Sequence, residues 1–124
     1  QIEANMGLTS VILEMLAFSA PGIIKILPAL PDKWEKGEIK GLLCRGAIIL
    51  DLQWDFSQNE INIALRSKVR QKLILKFPTV PKEIKFEPSD IYIDNSILGS
   101  EYREIELLKN TRANISITLS KLKS

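Results

Sequence analysis

The chain has 124 residues, of which 45% are hydrophobic and 26% are charged, a composition typical of one folded domain. Its 17 basic and 15 acidic residues leave a net charge of +2, too even to indicate a nucleic-acid or membrane-surface partner. The sequence has no histidine, which excludes a Ser-His-Asp triad within the chain and a zinc site of the usual type.

The first predicted element is a helix over residues 8 to 19. Apolar residues recur there at helical spacing, at Leu8, Val11, Ile12, Met15 and Leu16, and Pro21-Gly22 is expected to end the helix. Other apolar residues fall off this stripe, so the helix is expected to be buried on several faces. The strands that follow offer little to bury it, so we expect partner helices outside the chain. We place a domain boundary between residues 1–20 and 21–124.

From Ile23 onward the pattern is that of short strands. The clearest alternation runs from Ile48 to Phe56, and a short turn separates it from a second alternating run, Ile61 to Arg66, which predicts a hairpin. Further candidate strands cover residues 23–27, 38–44, 71–77, 83–86, 91–93, 102–108 and 114–119. About eight short strands with regularly spaced turns predict a mainly β fold, an antiparallel sandwich or jelly roll, preceded by one helix.

Several residues in these strands are predicted to serve packing or stability. Trp54 lies on the apolar face of the best strand and is expected in the core. Arg45 and Asp51 are expected either to pair across a strand or to bond to loop backbone. Cys44 stands among apolar residues with no histidine to activate it, so we predict a buried small side chain and not a nucleophile. Nothing in the sequence indicates a cofactor or a metal.

The sequence leaves the compartment of the protein open. A single cysteine excludes a disulfide within the chain but is compatible with secretion. No apolar run approaches the ~20 residues of a membrane-spanning helix. Because the chain begins with Gln1 and not with methionine, we interpret it as a piece of a larger protein whose true N-terminus, with any signal peptide, lies upstream.

Several short motifs stand in the first half of the chain: Gln1-Ile2-Glu3-Ala4-Asn5-Met6-Gly7, a helix ending in Glu14-Met15-Leu16, Leu27-Pro28-Ala29-Leu30-Pro31, Trp34, Gly37, Gly41-Leu42, Arg45-Gly46, Asp51 and Trp54. Together they resemble the C-terminal end of glycoside hydrolase family 95. The resemblance runs from Gln1 to about Ser67, and its order and spacing make it specific. Beyond Val69 the sequence shows only a compatible β pattern.

The resemblance implies an architecture and an activity. Family members, mainly α-L-fucosidases with some α-L-galactosidases, have an N-terminal β domain, a catalytic (α/α)6 barrel and a C-terminal β domain. The helix over residues 8–19 would be the last barrel helix, packed against the missing barrel, and residues 21–124 would be the C-terminal domain. The substrate would be an α-L-fucosyl oligosaccharide or glycan, and the reaction would invert the anomeric centre with an acid and a base on opposite faces of the sugar.

The resemblance also assigns candidate site residues. Glu3 stands at the position of the family's base-side Asp, and the family's general acid lies outside this chain. Glu is one methylene longer than Asp, and a displacement of ~1 Å can lower a rate by ~10²-fold. Without the resemblance, we would interpret Glu3 as a carboxylate that interacts favourably with the dipole at the start of a helix. Asn5 either shapes the sugar pocket or caps a turn, and Trp34 either stacks on a sugar or packs in the protein.

Two functions follow from these observations. The first is the C-terminal part of an α-L-fucosidase-like inverting glycosidase, inactive in isolation because a glycosidase needs both carboxyl partners around the bond. The second is a non-catalytic β-sandwich that supports a helical domain or binds carbohydrate itself. A row of exposed aromatic residues on one sheet face would favour sugar binding, and the candidates are Trp34, Tyr92 and Tyr102.

Overall fold

A computed structural model describes residues 15–28, 34–89, 91–96 and 98–120, and within them the chain forms ten strands in two five-stranded sheets. The first sheet contains, in spatial order, β1 (Ala17–Ala20), β2 (Ile23–Ile26), β6 (Gln71–Lys76), β9 (Gly99–Leu107) and β8 (Ile93–Ser96). The second sheet contains β3 (Lys36–Cys44), β4 (Ile48–Asp55), β5 (Glu60–Ser67), β10 (Ala113–Leu119) and β7 (Pro81–Glu87). The predicted β-sandwich is therefore confirmed.

The core lies between the two sheets and follows from the alternation of the strands. Along β4 every second residue is buried, and Trp54 at its end is 1% exposed. The opposite sheet contributes apolar side chains from β2, β6 and β9, with Ile24, Leu73, Leu75, Ile105 and Leu107 among them. Removing this apolar surface from water is the main force that holds the two sheets together.

The predicted helix over residues 8–19 is wrong at its C-terminal end. Met15 and Leu16 have helical conformation, but Ala17–Ala20 form β1, which pairs antiparallel with β2. The pairing satisfies the backbone groups that β1 and β2 direct toward each other, and a further bond joins Leu27 N–H to the Leu16 carbonyl oxygen at 2.8 Å. Tertiary pairing thus overrides the local apolar pattern. Residues 8–14 lie outside the described part of the chain.

The predicted domain boundary falls at a turn inside the first sheet. Pro21 and Gly22 form the turn that joins β1 to β2 instead of ending a helix. Residues 17–20 therefore lie in the same sheet as β2. The assignment of the preceding residues to a helical domain stays a prediction.

The later strands were predicted well, with small shifts. The hairpin of β4 and β5 is confirmed, with Trp54 opposite Ile61. The candidate at residues 91–93 is displaced, because the strand that forms there is Ile93–Ser96. One pairing is parallel, between β2 and β6, because the chain crosses to the second sheet between these two strands. All other strand pairs in the described ranges are antiparallel.

Candidate functional site

The outward face of the second sheet carries a shallow groove of about 300 Å³ across β3, β4, β5 and β10. We call it the polar groove. Its outward side chains are Glu38 and Lys40 from β3, Asp51 and Gln53 from β4, Asn62 and Ala64 from β5, Asn114 and Ser116 from β10, and Arg112 from the loop that precedes β10. These positions alternate with the buried residues of the same strands, so the pleat of the sheet brings them to one face.

The groove is concave because one of its central residues is small. Ala64 on β5 lies between Asp51 on β4 and Asn114 on β10, each of which is its direct partner in the strand register. The longer side chains of both neighbours stand on either side of the Ala64 methyl group. The floor of the groove is therefore low at Ala64 and the walls are polar.

A second row of side chains runs across the same four strands. Gln53 lies opposite Glu38 on one side and opposite Asn62 on the other, and Asn62 lies opposite Ser116. The Ser116 hydroxyl donates a 2.7 Å hydrogen bond to Asn62 Oδ1. This bond fixes the carboxamide of Asn62 with its NH₂ group directed away from Ser116.

Asp51 organises the edge of the groove. Its Oδ1 accepts a hydrogen bond from Gly41 N–H at 2.9 Å, and its Oδ2 accepts one from Arg112 Nη2 at 3.0 Å. Gly41 lies in a β-bulge of β3, with φ near +71°, a conformation that favours glycine. Arg112 Nε in turn donates to Asn114 Oδ1 at 3.1 Å. The bulge, the ion pair and the amide therefore form one network.

The two carboxyl groups with shifted pKa values, Asp55 and Glu106, do not fit the role of a glycosidase general acid. A general acid needs a raised pKa, but the pKa values of Asp55 and Glu106 are lowered. For Asp55 the main cause is the Ser57 hydroxyl, and for Glu106 it is the hydrogen bond from Arg70. Asp51 already accepts bonds on both oxygens. Burial raises the pKa of the Cys44 thiol to about 11, so at neutral pH it is not a thiolate nucleophile.

The described ranges also offer little for a metal or a membrane. They contain no group of three or more His, Cys, Asp or Glu side chains placed to hold a metal ion. No helix in these ranges has the length and apolar character that crossing a membrane requires.

Of the three predicted site residues the structure describes only Trp34, which does not line the polar groove. Glu3 and Asn5 lie outside the described residues, and their roles stay predictions. Trp34 is half-buried and packs against the core, and its carbonyl oxygen accepts a 2.9 Å hydrogen bond from Trp54 Nε1. A sugar-stacking role for Trp34 stays a prediction as well.

The other two aromatic candidates do not form a row with Trp34. Tyr92 is exposed, precedes β8, and donates a 3.0 Å hydrogen bond to Asp94. Tyr102 is half-buried on β9, with the Lys76 ammonium 5.8 Å from its ring centroid. Tyr102 lies in the first sheet and Tyr92 directly precedes a strand of that sheet, whereas Trp34 precedes β3 of the second sheet.

Sequence reasoning missed the network around Asp51. Arg45 and Asp51 were expected either to pair with each other or to bond to loop backbone. Asp51 instead pairs with Arg112 and accepts a hydrogen bond from the backbone of Gly41 in the bulge of β3. The backbone N–H of Arg45 donates to Ser19 Oγ at 2.7 Å. Arg112 lies in a loop, 61 residues after Asp51 in the chain, so no local sequence pattern predicts that contact.

Comparison with known proteins finds relatives among glycosidases. Residues 18–115 match the model of the C-terminal domain of glycoside hydrolase family 95. Over 55 residues the chain is 42% identical to "Alpha-L-fucosidase 2" of Arabidopsis thaliana, covering 44% of this chain and 6% of that protein. Over 65 residues it is 34% identical to "Probable alpha-fucosidase A" of Aspergillus oryzae, covering 44% of this chain and 9% of that protein. The chain thus spans less than a tenth of either relative.

Proposed function

The chain belongs to glycoside hydrolase family 95, and from this premise we propose that it is the C-terminal β domain, with a short preceding segment, of an inverting α-L-fucosidase. The observation that carries the proposal is the family match over residues 18–115, which includes most of both sheets. The names of the two relatives support α-L-fucosyl oligosaccharides or glycans as the substrate class of the whole protein.

The described domain would stabilise the catalytic domain instead of reacting itself. An inverting glycosidase needs an acid and a base about 6.5–9.5 Å apart across the bond. Both oxygens of Asp51 in the polar groove accept hydrogen bonds, from Gly41 and Arg112. The pKa values of Asp55 and Glu106 are lowered, which does not suit a general acid. The 124-residue chain by itself would therefore be inactive.

Residues 8–19 would connect this domain to a helical barrel that packs against them. Of this segment the structure describes the last residues, where Leu16 is fully buried and Phe18 on the edge strand β1 is 40% exposed. An exposed aromatic side chain beside the incoming chain is suited to contact a neighbouring domain. Glu3 and Asn5 would lie at the mouth of the barrel, with Glu3 in the base position.

The first experiment assays the 124-residue chain on an aryl α-L-fucoside. We expect no release of the aryl alcohol above the rate of buffer alone, while circular dichroism shows the β signal of a folded domain. Turnover by the isolated chain would overturn the proposed supporting role, because the missing acid would then be unnecessary.

The second experiment tests Glu3 in the whole protein from which the chain derives. Glu3→Asp restores the side-chain length of the family's base position, and we expect kcat to rise by up to ~10²-fold. Glu3→Gln keeps the size but removes the charge, and we expect it to abolish turnover. The matched control is Glu83→Asp on β7, an exposed residue outside the groove, which should leave kcat unchanged. If both Glu3 variants had the same kcat as the Glu83→Asp control, Glu3 would be excluded from catalysis.

A further inference from the structure

We propose that the polar groove binds a short uncharged oligosaccharide through hydrogen bonds from the side chains of Gln53, Asn62, Asn114 and Arg112. This site lies on the outward face of the second sheet of the β domain. The proposal does not depend on the activity of the whole protein.

The charges of the groove favour a neutral ligand. Glu38 and Asp51 are balanced by Lys40 and Arg112, so the four charges cancel. Asp51 and Arg112 also neutralise each other directly, at 3.0 Å. A phosphate or nucleic-acid ligand would need an excess of positive charge, and a polyamine an excess of negative charge. The groove offers neither.

Three of the four proposed binding side chains are held by hydrogen bonds within the protein, and all four retain groups that can bind a ligand. Asn62 uses Oδ1 to accept from Ser116 and retains its NH₂ donors, while Asn114 uses Oδ1 to accept from Arg112 and also retains its NH₂ donors. Arg112 donates through Nε and Nη2 and retains Nη1. Gln53 has no side-chain hydrogen bond to any residue in the described ranges. Neutral sugars carry many adjacent hydroxyl groups, which both donate and accept, and they match such a set.

The dimensions of the groove fit a chain of sugars better than one sugar. It crosses four strands, and neighbouring strands lie ~4.8 Å apart, so it is about 14 Å long. The two rows of side chains are about 7 Å apart along the strands. The small side chain of Ala64 forms the floor and is itself buried, and none of the described residues that line this shallow groove is aromatic. We therefore expect weak binding, with a Kd on the order of 1 mM.

The test titrates the ¹⁵N-labelled 124-residue chain with cellotetraose and with 2′-fucosyllactose, up to roughly 20 times the expected Kd. The amide signals of Gln53, Asn62 and Asn114 should shift with one of these sugars, with a common Kd. Shifts confined to other residues, or no shift with either sugar, would overturn the proposal. A response to an oligogalacturonate in preference to both neutral sugars would overturn the argument from charge.

Two groove variants and one matched control complete the test. Ala64→Leu fills the floor of the groove, and Asn62→Ala removes a carboxamide. We expect each to raise Kd at least ~10-fold, equivalent to about 1.4 kcal/mol. The control Asn95→Ala deletes an exposed carboxamide on β8 of the other sheet and should bind as the original does. If Ala64→Leu fails to fold, Asn62→Ala decides the question. Unchanged Kd in a folded Asn62→Ala variant contradicts the proposed site.

Discussion

Trp54 Nε1 donates a 2.9 Å hydrogen bond to the carbonyl oxygen of Trp34, twenty residues earlier in the chain. The Trp54 ring is fully buried at the end of β4, so this bond satisfies a donor that would otherwise be costly to remove from water. It also ties the segment that enters β3 to the core. The backbone of Trp34 thereby has a structural role, whatever its side chain does.

Gly37→Ala should destabilise the domain, because Gly37 lies directly opposite Trp54 in the sheet. A methyl group at position 37 would overlap the benzo ring of the Trp54 indole, and that ring is buried in the core. Overpacking of this kind typically costs ~1–3 kcal/mol. Urea denaturation followed by Trp fluorescence measures the loss in the free energy of unfolding.

A double variant checks the cause of this loss. Trp54→Phe removes the part of the ring that the new methyl group would meet, so Gly37→Ala should cost less in that background than in the original chain. The difference is the coupling energy of the two positions. Additive effects would mean that the loss arises from the backbone of residue 37 and not from the indole.

The sequence predicted the parts of this fold that depend on local pattern. The alternation from Ile48 to Phe56 predicted β4 and the burial of Trp54, and both are confirmed. The candidate strand over residues 38–44 is likewise confirmed, as part of β3. These features follow from the two-residue period of a strand with one buried face.

The features that were missed depend on contacts distant in sequence. Ala17–Ala20 carry an apolar pattern that suits a helix, and only pairing with β2 makes them a strand. The ion pair of Asp51 with Arg112 joins residues 61 positions apart, and the polar groove exists because β4, β5 and β10 are neighbours. A single sequence does not reveal which strands are adjacent, so it does not reveal a site on a sheet face.

Two substitutions of Asp51 separate its two hydrogen bonds. Asp51→Asn keeps an oxygen for Gly41 N–H but removes the ion pair with Arg112, whose side chain is 49% exposed. Exposed ion pairs contribute little, so we expect a loss of at most about 1 kcal/mol. Asp51→Ala also leaves the bulge without its acceptor and should cost about 1 kcal/mol more. Thermal denaturation compares the two variants, and equal losses would contradict a role for the Gly41 bond.

Stability should fall in alkaline solution because of Cys44. Burial raises the pKa of its thiol from 9.0 to about 11 in the folded chain, so the unfolded chain loses this proton at lower pH than the folded chain. The contribution of the protonated Cys44 thiol to the free energy of unfolding is therefore complete below pH 9 and decreases as the pH rises toward 11. Lysine and tyrosine residues titrate in the same range, so the comparison is with Cys44→Ala. The difference in slope between the two proteins isolates the thiol, and parallel curves would contradict its raised pKa.

The Ser57 hydroxyl should control the ionisation of Asp55 at the turn after β4. It donates a 2.5 Å hydrogen bond to Asp55 Oδ1, which also accepts from Ser57 N–H at 3.0 Å. The hydroxyl bond is the main cause of the lowered Asp55 pKa, so Ser57→Ala should move this pKa upward, toward 3.8. The backbone bond remains, so the return should be incomplete. A carboxyl ¹³C titration measures the shift directly. The control Ser100→Ala changes an exposed serine on β9 and should leave the Asp55 titration unchanged.

The lowered Asp55 pKa also makes stability depend on pH. Because the pKa is lower in the folded state than in the unfolded state, the stabilisation from Asp55 is present above about pH 4 and is lost as the pH falls through the folded value. In Ser57→Ala the stability lost on acidification through Asp55 should be smaller. An unaltered Asp55 titration in this variant would show that the lowered pKa has another cause.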